Sequence, residues 1–431
     1  MTSSSVVSAG AAPLTAKIAR GAPIPTLFAH YGEENIRGSE RILLDLLRHV
    51  DRTLIEPVVW CNAETMAAAT RALGVRTYTS RMPLLLGWDR PRLDVRQYRE
   101  LRRTADELFD RHAIRVVHAN SGAPNQWLVP AARAHRIGLV AHLHAHYVLR
   151  DRCTLLLHRA PTVVGCTQAV VEPLALDGVA RERLHVIPNG VDVERLERGD
   201  ATRLRAALNI DRSETVVACI GALIPIKGFD LAIRAAREMK LRGACPIFLI
   251  IGRGPEERAL RELAASCGVA DRVRFIGARD DVGAILRDAC DVVLVPSRVE
   301  GFGLTVAEAA MFGVPAIASD APGLRETIVD GVTGRLVPGE SPLAIADALE
   351  LYCRDARLRH ADGQRARQHA RRNFTVERMV ADLSALYVRS ASGAIPVSAG
   401  GDAGWRPWRQ LGANWLGNRM AKVVRHQRRA T

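Results

Sequence analysis

Two glutamates, Glu300 and Glu308, stand on either side of seven residues in the segment PSRVEGFGLTVAEAAMFGVPAIASDAPGLRETI (296–328). The run DVVLV (291–295) before them reads as a buried strand, Gly301 and Gly303 as a loop, and Leu304 as the start of a helix. Backbone N–H groups at a helix start carry partial positive charge and suit phosphate or sugar oxygens. A carboxylate in the loop and another a turn into the helix can face one cleft with different jobs. Taken alone, the stretch also admits a plain turn followed by a helix-surface acid.

Other residues invite chemistry. Lys227, in GALIPIKGFDLAI (221–233), is one of only four lysines in the chain. His142, His144 and His146 are spaced by two in AHLHAHY (141–147), and strand alternation predicts all three on one face. Three histidines raise a metal reading, but on an extended chain that spacing makes it hard for all three to ligate one ion. Arg253, in the G-R-G of GRGPE (252–256), and Arg298 sit in loops that follow strands. The G-R-G lacks the third glycine of a dinucleotide fingerprint.

Strands alternating with helical stretches must position these groups. The first block runs from about Ile24 to Ile187, with strands predicted at 25–30, 57–61, 114–119, 138–144 and 162–166. Between them SERILLDLLRHV (39–50) carries an apolar stripe of Ile42, Leu43, Leu46, Leu47 and Val50. The second block runs from about Thr215 to Arg372, with strands at 216–222, 247–252, 273–277, 291–295 and 315–319. The pattern predicts an α/β protein: two doubly wound parallel sheets, Rossmann-like, facing a cleft at the carboxyl ends of their strands. The expected divisions are a flexible start (1–23), a first domain (24–187), a connector (188–214), a second domain (215–372), a helix able to pack back on the first domain (373–390) and a tail (391–431).

Composition narrows the class. With 431 residues, 48% hydrophobic and 25% charged, the chain is a globular protein of more than one core. No apolar run approaches the length of a membrane span. The N-terminus has no signal-peptide pattern, and the eight scattered cysteines contain no C-x-x-C pair, so a reducing cytoplasm is expected. The net charge is +14, and seven basic residues follow Asp402 with no acid among them. Interleaved with Trp405, Trp408 and Trp415, they suit an anionic membrane surface reached through 405–431; a solvated tail is the alternative.

Glu, seven residues, Glu within EGFGLTVAEAA resembles the signature of the family 4 retaining glycosyltransferases (glycosyl transferases group 1) of the GT-B fold. IPNGVD (187–192), GALIPIKGFDLAI, GRGPE, FIGARDDV (275–282) and GVPAIASDAPGLRETIVDGVTGRLV (313–337) match further landmarks in order. The resemblance is strong over about 187–390 and compatible over 24–186. It implies a retaining transfer of a sugar from a nucleotide-sugar donor to a glycan or lipid-linked acceptor, with no catalytic metal, in assembly of a bacterial surface polysaccharide. It places Lys227 at the donor diphosphate and Glu308 at the ribose. Glu300, with the amides of Gly301, Phe302, Gly303 and the helix start at Leu304, falls at the transferred sugar, and His144 near sugar and acceptor. Gly38, in HYGEENIRGSER (30–41), falls in the loop that approaches the phosphates, although the usual glycine doublet is Gly38-Ser39 here. Where many relatives carry an arginine this chain has Ala222; Arg253 or Arg298, both in loops after strands, can replace it, or the cation is not needed. The rival readings are a sugar-nucleotide epimerase of the same fold, a silent sugar-nucleotide-binding partner and a basic nucleic-acid-binding protein. Specific nucleic-acid recognition is not expected, and the expected location is cytoplasmic, peripheral on the inner face of the membrane.

Overall fold

The computed structural model describes residues 22–85, 94–244 and 246–395. Their strands form two sheets, every described pair parallel. The first contains β1 (Ile24–His30), β2 (Ile55–Cys61), β3 (Arg76–Thr79), β4 (Val116–Ala119), β5 (Gly138–Leu143), β6 (Thr162–Gly165) and β7 (Leu184–Val186), in the order β3-β2-β1-β4-β5-β6-β7. The second contains β8 (Val216–Ile220), β9 (Ile247–Ile251), β10 (Val273–Gly277), β11 (Val292–Val295), β12 (Ala316–Ser319) and β13 (Gly334–Val337), in the order β10-β9-β8-β11-β12-β13. Central strands are apolar on both faces because helices cover both: Leu27, Phe28 and Ala29 of β1 are fully buried, as are Val217, Ala218 and Cys219 of β8.

In each sheet the strand order reverses once, between β1 and β4 in the first and between β8 and β11 in the second. Loops leaving neighbouring strands diverge at such a reversal and open a crevice beyond their carboxyl ends. Lys227 follows β8 and Glu300 follows β11, so both belong to the crevice of the second sheet. The crevice of the first lies beyond His30 and Asn120.

The two crossings between the sheets run side by side. The Val191 N–H donates to the Phe374 carbonyl at 2.8 Å, and the Val376 N–H returns a bond to Val191 at 3.2 Å. The helix Val376–Ala391 then packs on the first sheet, with Tyr387 edge-on to Phe28 at 5.8 Å between ring centres. One apolar cluster joins the halves: Phe302, Ala307, Met311 and Phe374 pack with residues of the first sheet and its helices.

Three short strands escaped the sequence reading: β3, β7 and β13 have three or four residues each and little apolar pattern. No helix of the described residues is long and apolar enough to cross a membrane. The seven described cysteines are free. Residues 1–21 of the expected flexible start, residues 86–93 and the tryptophan-containing tail from residue 396 lie outside the described residues.

Candidate active site

At the second sheet the chain leaves β8, makes a single 3-10 turn over Pro225–Lys227 and enters the helix Phe229–Leu241. That turn carries the Lys227 ammonium to 2.7 Å from Glu300 Oε2, which also accepts from Ser297 Oγ at 3.2 Å. Lys227 keeps 30% of its side chain exposed and Glu300 15%, so the pair stands at the wall of an open cleft.

The residues after Glu300 meet the first sheet. A Cβ on Gly301 would collide with the carbonyl oxygen of His144, which explains the glycine. The Gly301 carbonyl accepts from Thr167 Oγ1 at 2.8 Å, and the Glu300 carbonyl from His146 Nε2 at 3.1 Å. Phe302 is buried edge-on to Phe374, with ring centres 5.3 Å apart. Gly303 (φ 87°) takes the left-handed conformation that opens the helix Leu304–Met311, and Leu304 packs against first-sheet clusters.

Glu308, one turn into that helix, lies 3.6 Å from Arg195 Nη2 with 13% of its side chain exposed. Burial pushes its carboxyl above the ordinary value, with Arg195 and Arg41 pulling against it. Arg195 also binds Asp45, and Arg48 joins Asp45 to Asp192. These charges link the helix Gly38–His49, the connector and the Glu308 helix. Sequence reasoning missed Arg41 and Arg195. Arg41 is half-buried and its guanidinium has no hydrogen-bond or ion-pair partner among the described residues; burial and repulsion from Arg195 lower its pKa. The only available signal was its place three residues after Gly38.

The three histidines do not share one environment, contrary to the alternation argument, because β5 ends at Leu143. His142 is fully buried, and neither ring nitrogen has a partner among the described residues. His144 Nε2 bonds Asn120 Oδ1 at 3.0 Å, while His146 crosses to the Glu300 carbonyl. Burial lowers the His144 pKa to about 4 and that of His118 to about 3. No group of three or more His, Cys, Asp or Glu among the described residues is arranged to hold a metal ion.

Of the two expected stand-ins for the arginine absent at Ala222, Arg298 is committed elsewhere. Its guanidinium grips Asp230 in a bidentate pair at 2.9 Å and reaches Glu340 at 2.7 Å. It is a strut between loops, not a free cation. Arg253 is exposed where the β9 loop passes that of β8, its carbonyl accepting from Leu223 N–H at 3.0 Å. Gly38 opens its helix with nothing within 4 Å of where a Cβ would stand.

Two parallel-sheet domains with candidate groups at both reversals define the GT-B class. Two solved structures share the fold: HepE of Anabaena in complex with UDP and glucose (TM-score 0.71, 23% identity, 85% of this chain and 99% of that one), and sucrose-phosphate synthase of Thermosynechococcus elongatus (TM-score 0.68, 20% identity, 86% and 100%). Residues 200–369 match the model of the glycosyl transferases group 1, and residues 36–195 that of glycosyltransferase family 4. Over 312 residues the chain is 32% identical to a GDP-mannose-dependent alpha-(1-6)-phosphatidylinositol monomannoside mannosyltransferase of Mycobacterium tuberculosis, spanning 67% of this chain and 77% of that one. It is also 37% identical over 217 residues to a D-inositol 3-phosphate glycosyltransferase of Nocardia farcinica, 48% of each chain. Against that relative and its counterpart in Salinispora tropica, the match spans about half of the relative's length (48% and 46%). The chain belongs to the family 4, group 1 glycosyltransferases.

Proposed function

We propose that this protein moves a sugar, with retention at the anomeric carbon, from a nucleoside-diphosphate sugar to a glycan or lipid-linked acceptor. The observation that carries the reading is the Lys227–Glu300 pair, 2.7 Å apart at the strand-order reversal of the second sheet. Breaking the bond from sugar C1 to the diphosphate builds negative charge on the leaving oxygen, and a fixed cation there lowers the barrier. Lys227 supplies it, which requires the ammonium to exchange Glu300 for phosphate. Glu300, released, accepts hydrogen bonds from hydroxyls of the transferred sugar beside the Gly301–Leu304 amides. Glu308 binds the ribose hydroxyls. Arg41, its guanidinium free of hydrogen bonds and ion pairs among the described residues and close enough to act on Glu308, supplies the cation that Ala222 lacks, with Arg253 at the outer edge. The acceptor enters on the His144 side, and the leaving phosphate assists removal of its proton on the face it departs from. No metal enters this scheme.

The relatives' names point to inositol-bearing acceptors, either phosphorylated or in a phospholipid. They favour a polyol-phosphate or lipid headgroup over the surface polysaccharide that the resemblance suggests. A lipid acceptor agrees with work at the inner membrane face through the basic tail.

Thermal-shift measurement against UDP-, GDP- and ADP-sugars tests the donor, since a ligand bound only by the folded state raises stability by mass action. One nucleotide series should stabilise the protein. Radiolabelled donor, incubated with and without candidate acceptors, then separates transfer from epimerisation. Stabilisation by no donor, with no label released or transferred, would sink the reading; an epimerised donor formed without acceptor would replace it with the epimerase.

A further inference from the structure

Asn120 lies just past β4 with no exposed surface, and all four of its side-chain hydrogen-bonding positions are filled. Its Nδ2 lies 3.0 Å from the Ser39 carbonyl and 3.0 Å from His30 Nδ1. Its Oδ1 lies 3.0 Å from His144 Nε2 and 3.4 Å from His118 Nε2. A carbonyl oxygen can only accept, so the Ser39 contact fixes which end of the amide is Nδ2. Oδ1 then faces two imidazole nitrogens, each of which must carry its proton to bond. His118 accommodates this: its Nδ1 stands 2.8 Å from the Tyr387 hydroxyl, which donates to a ring protonated at Nε2.

The amide is held from behind. His30 Nε2 stands 3.0 Å from Glu40 Oε1, and both side chains are buried beneath Gly32, where a Cβ would strike the pair. Glu40 Oε2 also accepts from the Arg37 N–H at 3.1 Å and from Ser39 Oγ at 3.2 Å. Burial works against that carboxylate, but its bond and attraction to His30 keep its pKa below the ordinary value. A chain of contacts therefore runs from carboxylate to His30, Asn120 and His144, and it ends inside the fold at His144 Nδ1, a buried atom with no partner within hydrogen-bond distance, in a ring that the Asn189 side chain also faces.

We propose that Glu40, His30 and Asn120 are positioning residues that fix His144 as the neutral Nε2–H tautomer, leaving Nδ1 as a hydrogen-bond acceptor. Resting on the proposed function, this holds the ring uncharged and in one orientation on the side where the acceptor enters, while Nδ1 stays inside the fold beside Asn189. The third group orients an imidazole by holding its far nitrogen, the logic by which a buried partner sets the tautomer of a catalytic histidine. The C-terminal helix joins the same arrangement through Tyr387, so a segment distant in sequence helps set one ring at the cleft.

Nitrogen-15 spectra of the full protein with labelled histidine test this, with the His144 signal assigned by its loss in His144→Gln. At neutral pH His144 should show a protonated Nε2 and a bare Nδ1; the opposite tautomer or an imidazolium overturns the proposal. In Asn120→Asp a carboxylate faces the Ser39 carbonyl and both imidazoles, so the His144 pattern should change. Turnover should fall about tenfold or more with donor KM nearly unchanged. An unaltered His144 spectrum in Asn120→Asp also overturns it, as does an altered spectrum with unaltered turnover. The wild-type spectrum needs neither a folded variant nor a known donor, so failure of the transferase reading would leave the tautomer assignment standing on its own result.

Discussion

On the first-sheet wall of the cleft, Glu40, His30, Asn120 and His144 are joined by hydrogen bonds of 3.0 Å, the first three shielded from water. On the second-sheet wall, Lys227 and Glu300 hold one another at 2.7 Å across a partly exposed gap, and Glu308 leans on Arg195 at 3.6 Å. One wall is complete as it stands. The other is paired with itself, and a donor must take its groups from each other. That exchange is cheap, because a partly exposed ion pair stabilises a protein by about 1 kcal/mol or less. Buried hydrogen-bonded groups set orientation, and partly exposed charged ones wait for charge to arrive.

Acid should break the first wall before the second, and this is the largest effect expected. His118 and His144 titrate near about 3 and about 4 in the folded protein, against an ordinary 6.5, because burial disfavours the imidazolium. The unfolded chain therefore binds protons first as pH falls, and the stability these rings hold above pH 6.5 drains away down to their folded values. The loss is on the order of 3 kcal/mol for each ring by pH 4. Urea midpoints across that range should fall steeply. His142, fully buried with its pKa driven well down by burial, contributes the same way, so His142→Leu should flatten the slope. Equal slopes in the two proteins would remove the histidines from the account.

On the second wall, Lys227→Ala should lower turnover by about two to three orders of magnitude, roughly 3 kcal/mol of transition-state stabilisation, like loss of an oxyanion donor. Stability should move little, since the pair it breaks is partly solvated. Unchanged turnover takes Lys227 out of the mechanism. A large loss of stability instead would show the pair to be structural, erasing the contrast between the walls.

Glu308 tests the contrast from within. Its folded pKa is raised by burial, so the carboxylate is a net cost to folding, absent below the ordinary 4.5, growing from there up to the folded value and constant above it. Glu308→Gln should be more stable than the parent at neutral pH and equal to it in acid. Donor KM should rise about tenfold or more, the worth of a hydrogen bond to a charged group. A variant that is destabilised with normal donor affinity would make Glu308 a partner of Arg195 alone.

Much of this was legible in sequence where local chemistry decides the outcome. The ten strands read from apolar runs lie within a few residues of their places, because strands covered on both faces must be apolar throughout. The edge strands β3, β7 and β13 were not legible, since an edge strand of three or four residues needs no such run. The Glu300–Glu308 segment was legible because its loop, glycines and helix are contiguous. Asn120 and His30 were not, although the loop holding Glu40 was, because the contact between Asn120 and His30 joins residues 90 apart in sequence. Arg298 misled for the same reason: its partners Asp230 and Glu340 are 68 and 42 residues away.

The smallest effect concerns how the walls meet. Glu326, on the second-sheet side, accepts from the N–H groups of Gln168 and Ala169 at 2.7 and 2.9 Å, the free amino end of a first-sheet helix, Gln168–Leu176. A carboxylate at such an exposed end contributes about 0.3–1 kcal/mol. The contact joins two domains, so its loss acts on closure and leaves each domain's own fold alone. Glu326→Ala should therefore open the protein slightly, read as a larger radius of gyration in solution scattering, with the His144 spectrum unmoved. If that spectrum changes with Glu326, the first wall is not complete by itself: its order would depend on closure, and the tautomer would be set by the neighbouring domain as much as by Asn120.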